Sequence, residues 1–136
     1  LETSYRADLV INEKEMYENY KEIASILKNN VDVIICETMS SSVEAKTALK
    51  AALETNTAIE INTVGWRKEC AEQYPERDFL EMMISAGLPI SISSDAHAPE
   101  EVGMNFEEAA SLASDIGFTH TVRFEKRERT EMPFSI

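Results

Sequence analysis

Three short apolar runs constrain this chain more than anything else in it. They are "VDVIICE" (31–37), "AIEINT" (58–63) and "PISISS" (89–94). Each is rich in β-branched residues, and each is separated from the next by a stretch of helical spacing. Continuous apolar runs suit strands buried on both faces, as in parallel sheets. A fourth run, "HTVRFEKR" (120–127), follows the last helix. The helices announce themselves by their starts and stops. Asn12 with Glu15, and Ser41 with Glu44, have capping-box spacing, and Ile11 and Met16 hold the staple positions. Met16, Tyr20, Ile23 and Leu27 recur at helical intervals over 13–29. "VEAKTALKAALE" is the second helix. "RDFLEMMISAG" is the third and is closed by Gly87 and Pro89. Asn105 and Glu108 open a fourth, which stops at Gly117. The tail "ERTEMPFSI" shows no period.

The order αβαβαβαβ predicts an α/β fold with a mainly parallel four-stranded sheet. Four strands are half of an eight-stranded barrel, or a small open sheet. The 136 residues are expected to form a single domain. A half barrel leaves sheet edges that invite pairing, so a homodimer of eight strands is expected.

In parallel α/β folds, ligands bind beyond the carboxyl ends of the strands. Glu37 and Thr38, Asn62 and Thr63, then Ser94, Asp95 and His97 occupy those ends. Asp95 and His97 carry the oxygen and nitrogen donors that suit Zn, Mn or Fe. The same pair also reads as turn chemistry. A catalytic zinc usually has three protein ligands, and Glu37 or Glu60 would be the third. Glu60 lies inside its strand on the face of Asn62, where a carboxylate needs a partner. Arg67, Lys68 and Arg123 are candidates for a phosphate or carboxylate, or else solvated loop charge. His120 reads as structural and Trp66 as a loop anchor. No Gly-rich phosphate loop, GxSxG elbow or HExxH is present.

The formal charge is −12, from 25 acids and 13 bases. That excludes nucleic acid as the main partner and disfavours an anionic membrane surface. No apolar run is long enough to span a membrane, and no signal peptide is visible. Cys36 and Cys70 are the only cysteines. Two cysteines allow one disulfide but no framework, and they read as reduced thiols of a cytoplasmic protein; without a CxxC a thiolate zinc site is not expected. The chain starts at Leu1 rather than Met, as an excised or engineered segment would.

Two resemblances run along the chain. Residues 57–134, through "AIEINTVGWRK", "YPERDFLEMMISAGLPISISSDAHAPEEVGMNFEEAASLASDIGF" and "VRFEKRE", resemble the C-terminal part of a PHP-family phosphoesterase of the histidinol-phosphatase type. The resemblance implies Asp95 and His97 as metal ligands. It places Asn62 and Arg67 near a small phosphorylated substrate. Residues 4–53, through "YRAD", "VDVIICETM" and "EA", resemble a homocysteine S-methyltransferase barrel, which implies Glu37 facing the amino acid substrate. A segment boundary at 54/55 follows, with the join near 53–57, as in a chimera. The phosphoesterase family also needs an N-terminal His-x-His and further ligands. The methyltransferase family needs a zinc held by cysteines that include a Cys-Cys pair. With two histidines and two cysteines in the chain, neither set is complete. The expectation is a barrel-derived scaffold with a partial metal site. The alternatives are a metal-dependent phosphoesterase and, behind it, a methyltransferase.

Overall fold

The structure is a computed structural model and describes residues 6–28, 30, 39 and 41–134. It divides into two compact units, Leu1–Thr57 and Ala58–Ile136. The strand expected at 31–37 lies outside the described residues, and with it Cys36 and Glu37.

The N-terminal unit is built on two packed helices, α1 (Glu13–Leu27) and α2 (Ser42–Thr55). Their starts follow the caps read from sequence. Asn12 Oδ1 accepts from the Glu15 N–H at 3.0 Å, and the Glu15 carboxylate takes the Asn12 side-chain amide in return. Ser41 Oγ accepts from the Glu44 N–H at 3.2 Å. Each bond satisfies one amide that the first turn leaves without a partner. α2 ends on Asn56, which takes the left-handed conformation at φ 51°, a common helix stop. Met16 and Ala24 of α1 and Ala48, Leu49, Ala51 and Ala52 of α2 are buried. Small alanines allow close approach of two helices.

Charge pairs strap the outside of the two helices. Lys50 Nζ lies 2.6 Å from Glu13 Oε1, and Lys21 Nζ lies 2.7 Å from Glu54 Oε2. The Tyr17 hydroxyl also donates to Glu54. The Lys50 ammonium holds the Glu13 carboxyl below its ordinary range. Lys21, then Tyr17, does the same for Glu54.

In the C-terminal unit, β1 (Ile59–Asn62) and β2 (Ile90–Ser93) pair in parallel, with Ile59 opposite Ile90 and Asn62 opposite Ser93. A right-handed parallel connection needs a helix between the strands. α3 (Arg77–Ser85) supplies it and buries Phe79, Leu80 and Met83. α4 (Phe106–Ile116) contributes Ala109 and Ala113 to the core formed with Ile61, Ile90, Phe118 and Val122. Asn105 does not cap α4 with its side chain. It sits at φ 62° and turns the chain into the helix instead.

The expected four-stranded parallel sheet is not what the described residues form. They form a parallel pair and a separate antiparallel hairpin, β3 (His120–Glu125) with β4 (Glu128–Pro133). β4 occupies the tail that shows no sequence period. β3 lies beside β2, but the Thr121 hydroxyl, rather than a backbone N–H, reaches the Ile90 carbonyl at 3.0 Å. The backbone ladder of β3 is made with β4. The fold is mixed α/β, and among the described residues the parallel order is limited to β1 and β2.

The paired carboxylates predict how the N-terminal unit responds to acid. Glu13 and Glu54 bind protons less readily in the folded chain than in the unfolded one. Their stabilisation is complete above the ordinary glutamate pKa of about 4.3. It is lost as the pH falls through the lower folded values. A Glu13→Gln/Glu54→Gln variant should therefore show a shallower loss of stability below about pH 4.5 in urea titrations. Parallel acid limbs for parent and variant would contradict this.

Candidate functional site

The parallel register sets the carboxyl ends of β1 and β2 side by side, and each strand is followed by a tight turn. After β1 the chain enters a 3-10 turn, Thr63–Arg67. Asn62 starts it: its Oδ1 accepts from the Val64 N–H at 2.9 Å. The other end of the same amide donates to Glu60 Oε1 at 3.2 Å. This answers the partner question for the half-buried Glu60, and it means that both ends of Asn62 are used locally. Gly65 lies so close to the following loop that a Cβ would come within 1.9 Å of the Glu72 carbonyl oxygen. Only glycine fits there, and its close approach fixes where Arg67 emerges.

Arg67 reaches across to the end of β2. Its Nη2 donates to the Ser94 carbonyl at 2.7 Å and lies 3.7 Å from Glu101 Oε2. Its side chain is only 18% exposed. Nη1 is buried, with no hydrogen-bond partner among the described residues. Arg67 is thus a brace between two strand ends rather than solvated loop charge. Two further bonds tie the same rim. Ser94 Oγ accepts from the Gly103 N–H at 3.2 Å, and the Thr63 hydroxyl donates to the Met104 carbonyl at 2.7 Å.

Asp95 and His97 leave this braced frame and face solvent, with side chains 48% and 78% exposed. Asp95 is left-handed at φ 47°, a conformation that Asp tolerates better than most residues. His97 Nδ1 lies 2.8 Å from the Asp95 carbonyl oxygen. A carbonyl only accepts, so Nδ1 carries the proton and Nε2 keeps its lone pair. Nε2 is then the atom free for a metal or a proton. The His97 N–H donates to Glu101 Oε2 at 2.7 Å. That bond, with the Arg67 charge behind it, holds the Glu101 carboxyl below its ordinary range.

The structure thus places Ser94, Asp95 and His97 just beyond β2, with Asn62 and Thr63 at the end of β1 and Arg67 reaching across between them. Among the described residues no group of three or more His, Cys, Asp or Glu side chains converges as a metal cluster. His120 stands at the start of β3 beside Ile90, the opposite end of the sheet from His97. Arg123 pairs with Glu125 at 2.8 Å on the exposed hairpin. Glu101 is the residue the sequence reading missed. Its signal was Pro99, which opens the 3-10 turn Pro99–Glu101 and brings a carboxylate four residues on back to the His97 amide.

A family model for homocysteine S-methyltransferase matches residues 1–123. The chain belongs to the homocysteine S-methyltransferase family. Curated relatives carry a second name. A "Probable histidinol-phosphatase" of Deinococcus radiodurans is 42% identical over 71 residues, covering 52% of this chain and 27% of that protein. Another, of Schizosaccharomyces pombe, is 28% identical over 113 residues, covering 83% of this chain and 31% of the relative. The chain therefore spans under a third of the length of these relatives. Both parts of the double resemblance are found, and they overlap. With 113 of 136 residues aligned, only 23 fall outside, so the yeast match takes in residues 24–113 wherever it begins. The homocysteine S-methyltransferase match also runs past Asp95 and His97.

The brace can be tested by removing it. Arg67→Met strands the Ser94 carbonyl and leaves Glu101 without its cation. The expected cost is about 1.5–3 kcal/mol, the range for hydrogen bonds to charged groups. Arg67→Lys should recover only part of this, since an ammonium lacks the planar fork. An unchanged urea midpoint in Arg67→Met would show that Arg67 does not hold the rim.

Proposed function

We propose that this chain is a barrel-derived α/β scaffold that carries one sector of a phosphatase-type site and, by itself, does not turn over substrate. The carrying observation is the solvent-facing pair of Asp95 and His97, fixed at the carboxyl ends of two parallel strands and backed by Arg67. The names of the curated relatives supply the substrate class for the complete site, a phosphomonoester such as histidinol phosphate.

Asp95 oxygen and the His97 Nε2 lone pair fit one edge of a Zn, Mn or Fe coordination sphere. They do not fill it. The only other histidine in the chain, His120, is at the far end of the sheet, and a catalytic zinc usually takes three protein ligands. A metal held here would polarise a phosphoryl oxygen or activate water, but two donors alone bind weakly. Glu37, the further rim candidate, lies outside the described residues. Arg67 enters as the residue that fixes the loop, and its unpartnered Nη1 marks a place for an ordered water or an oxyanion. Asn62 supports the turn that carries Arg67.

The methyltransferase family supports a second reading for the whole protein, with Glu37 toward an amino acid substrate. The chain's two cysteines, with no Cys-Cys pair among them, weigh against zinc-thiolate chemistry within this segment. No helix among the described residues is long and apolar enough to cross a membrane, and we place the protein in the cytoplasm by the same reading. A second copy of the chain is the proposed source of further strands.

Metal stoichiometry tests the reading. After dialysis against micromolar zinc, the parent should retain up to about one zinc per chain, and an Asp95→Ala/His97→Ala variant none. Neither should hydrolyse histidinol phosphate. Equal zinc in both proteins would remove the pair as ligands. Turnover by the parent would show a complete site. Light scattering on the same samples reads the dimer, and a monomer mass would contradict it.

A further inference from the structure

Four residues, 94–97, are held at both ends by groups that converge from different turns. At the entry, Arg67 Nη2 grips the Ser94 carbonyl at 2.7 Å. At the exit, Glu101 Oε2 grips the His97 N–H, also at 2.7 Å. Between them Asp95 takes its left-handed turn, and the His97 ring folds back onto the Asp95 carbonyl. The two grips are not independent, because Glu101 Oε2 lies 3.7 Å from Arg67 Nη2. The guanidinium orients the carboxylate that holds the His97 backbone. Glu100, its neighbour in the same turn, is exposed, whereas Glu101 is half-buried against this frame.

A histidine as exposed as His97 ordinarily samples several rotamers, and the neutral histidine side chain in water prefers its proton on Nε2. The ring here holds the opposite tautomer, because its Nδ1–H is spent on a carbonyl two residues back. That bond is short-range and depends on where the His97 backbone sits. We propose that Glu101 is a positioning residue for His97: by holding its backbone N–H against the Arg67 brace, it keeps the ring on the Asp95 carbonyl and the Nε2 lone pair facing outward. The proposal deepens the reading of Asp95 and His97 given above and rests on it for its functional meaning. Its geometry stands without a metal. A carboxylate, or any acceptor of the same length, satisfies the His97 N–H, so reach matters more than charge at this atom. Second-sphere groups that fix the tautomer of a ligating histidine do this in metal sites generally.

The test is the imidazole nitrogen spectrum of the full chain, recorded with 15N-labelled histidine near pH 8.5, well above the ordinary histidine pKa of about 6.5. The chain has only two histidines. His120, whose Nδ1 contacts the Thr119 hydroxyl, serves as an internal reference for an intact fold. The parent should show His97 protonated on Nδ1. Glu101→Ala should move His97 severalfold toward the Nε2-protonated form while the His120 signals stay in place. Glu101→Asp keeps the charge but is one methylene short, and should follow alanine. Glu101→Gln keeps an acceptor oxygen at full reach, and should follow the parent.

If Glu101→Ala lowers stability but leaves the His97 tautomer unchanged, Glu101 is only structural and the proposal is overturned. Added zinc separates this from the metal reading. A Glu101-dependent tautomer in a parent whose His97 nitrogens ignore zinc would support the positioning role and remove the metal assignment. An unchanged tautomer in the alanine variant overturns the positioning role, whether or not zinc binds.

Discussion

The Arg67 guanidinium is the contact on which the rest of the C-terminal rim depends. A buried or half-buried cation needs partners of fixed geometry, and Arg67, carried on the turn after β1, finds both on the chain that follows β2. The Ser94 carbonyl lies beyond β2, and Glu101 lies one turn further on. Arg67 reaches them because the chain after β1 turns at once. It turns because Asn62 caps the 3-10 turn and Gly65 lets the backbone pass the Glu72 carbonyl. A side chain at position 65 would push Arg67 away from β2. The exposed Asp95–His97 loop is ordered through this sequence of contacts.

Much of this was legible before any coordinates. Capping residues announce helix starts because a polar side chain must replace missing backbone acceptors, and Asn12 and Ser41 behave as that rule requires. β1 and β2 could be read because β-branched apolar runs between helices leave few other options. The hairpin was hidden for an equally physical reason. Its two central residues, Lys126 and Arg127, both have positive φ, at 51° and 69°. Such turns normally carry Asn-Gly or Asp-Gly, and nothing in "EKRE" signals one. Among the described residues parallel pairing joins β1 and β2 alone, while β3 ladders with β4 and meets β2 through a threonine hydroxyl. Glu101 was hidden in an acidic stretch where two adjacent glutamates look alike, and only the 3-10 turn separates their roles.

The two family likenesses meet in one frame. One chain matches a homocysteine S-methyltransferase model while its curated relatives are probable histidinol-phosphatases. Family membership therefore does not decide which chemistry the rim supports. The side chains at the strand ends bear on it more directly. Asp95, and His97 with its Nδ1 on the Asp95 carbonyl, stand exposed beside the fixed Arg67 cation, and the phosphatase reading proposed above rests on that arrangement. The count of such donors limits what this segment does without further ligands.

The central claim is that one place on a strongly acidic chain is organised for a cation, rather than the whole surface. Paramagnetic broadening of backbone amides by substoichiometric Mn²⁺ tests this most directly, because it maps the ion residue by residue. Broadening centred on Asp95, Ala96 and His97, with the acidic faces of α1 and α4 largely spared, is the predicted result. Broadening spread over the acidic helices, with no maximum at the Asp95–His97 loop, would contradict the claim.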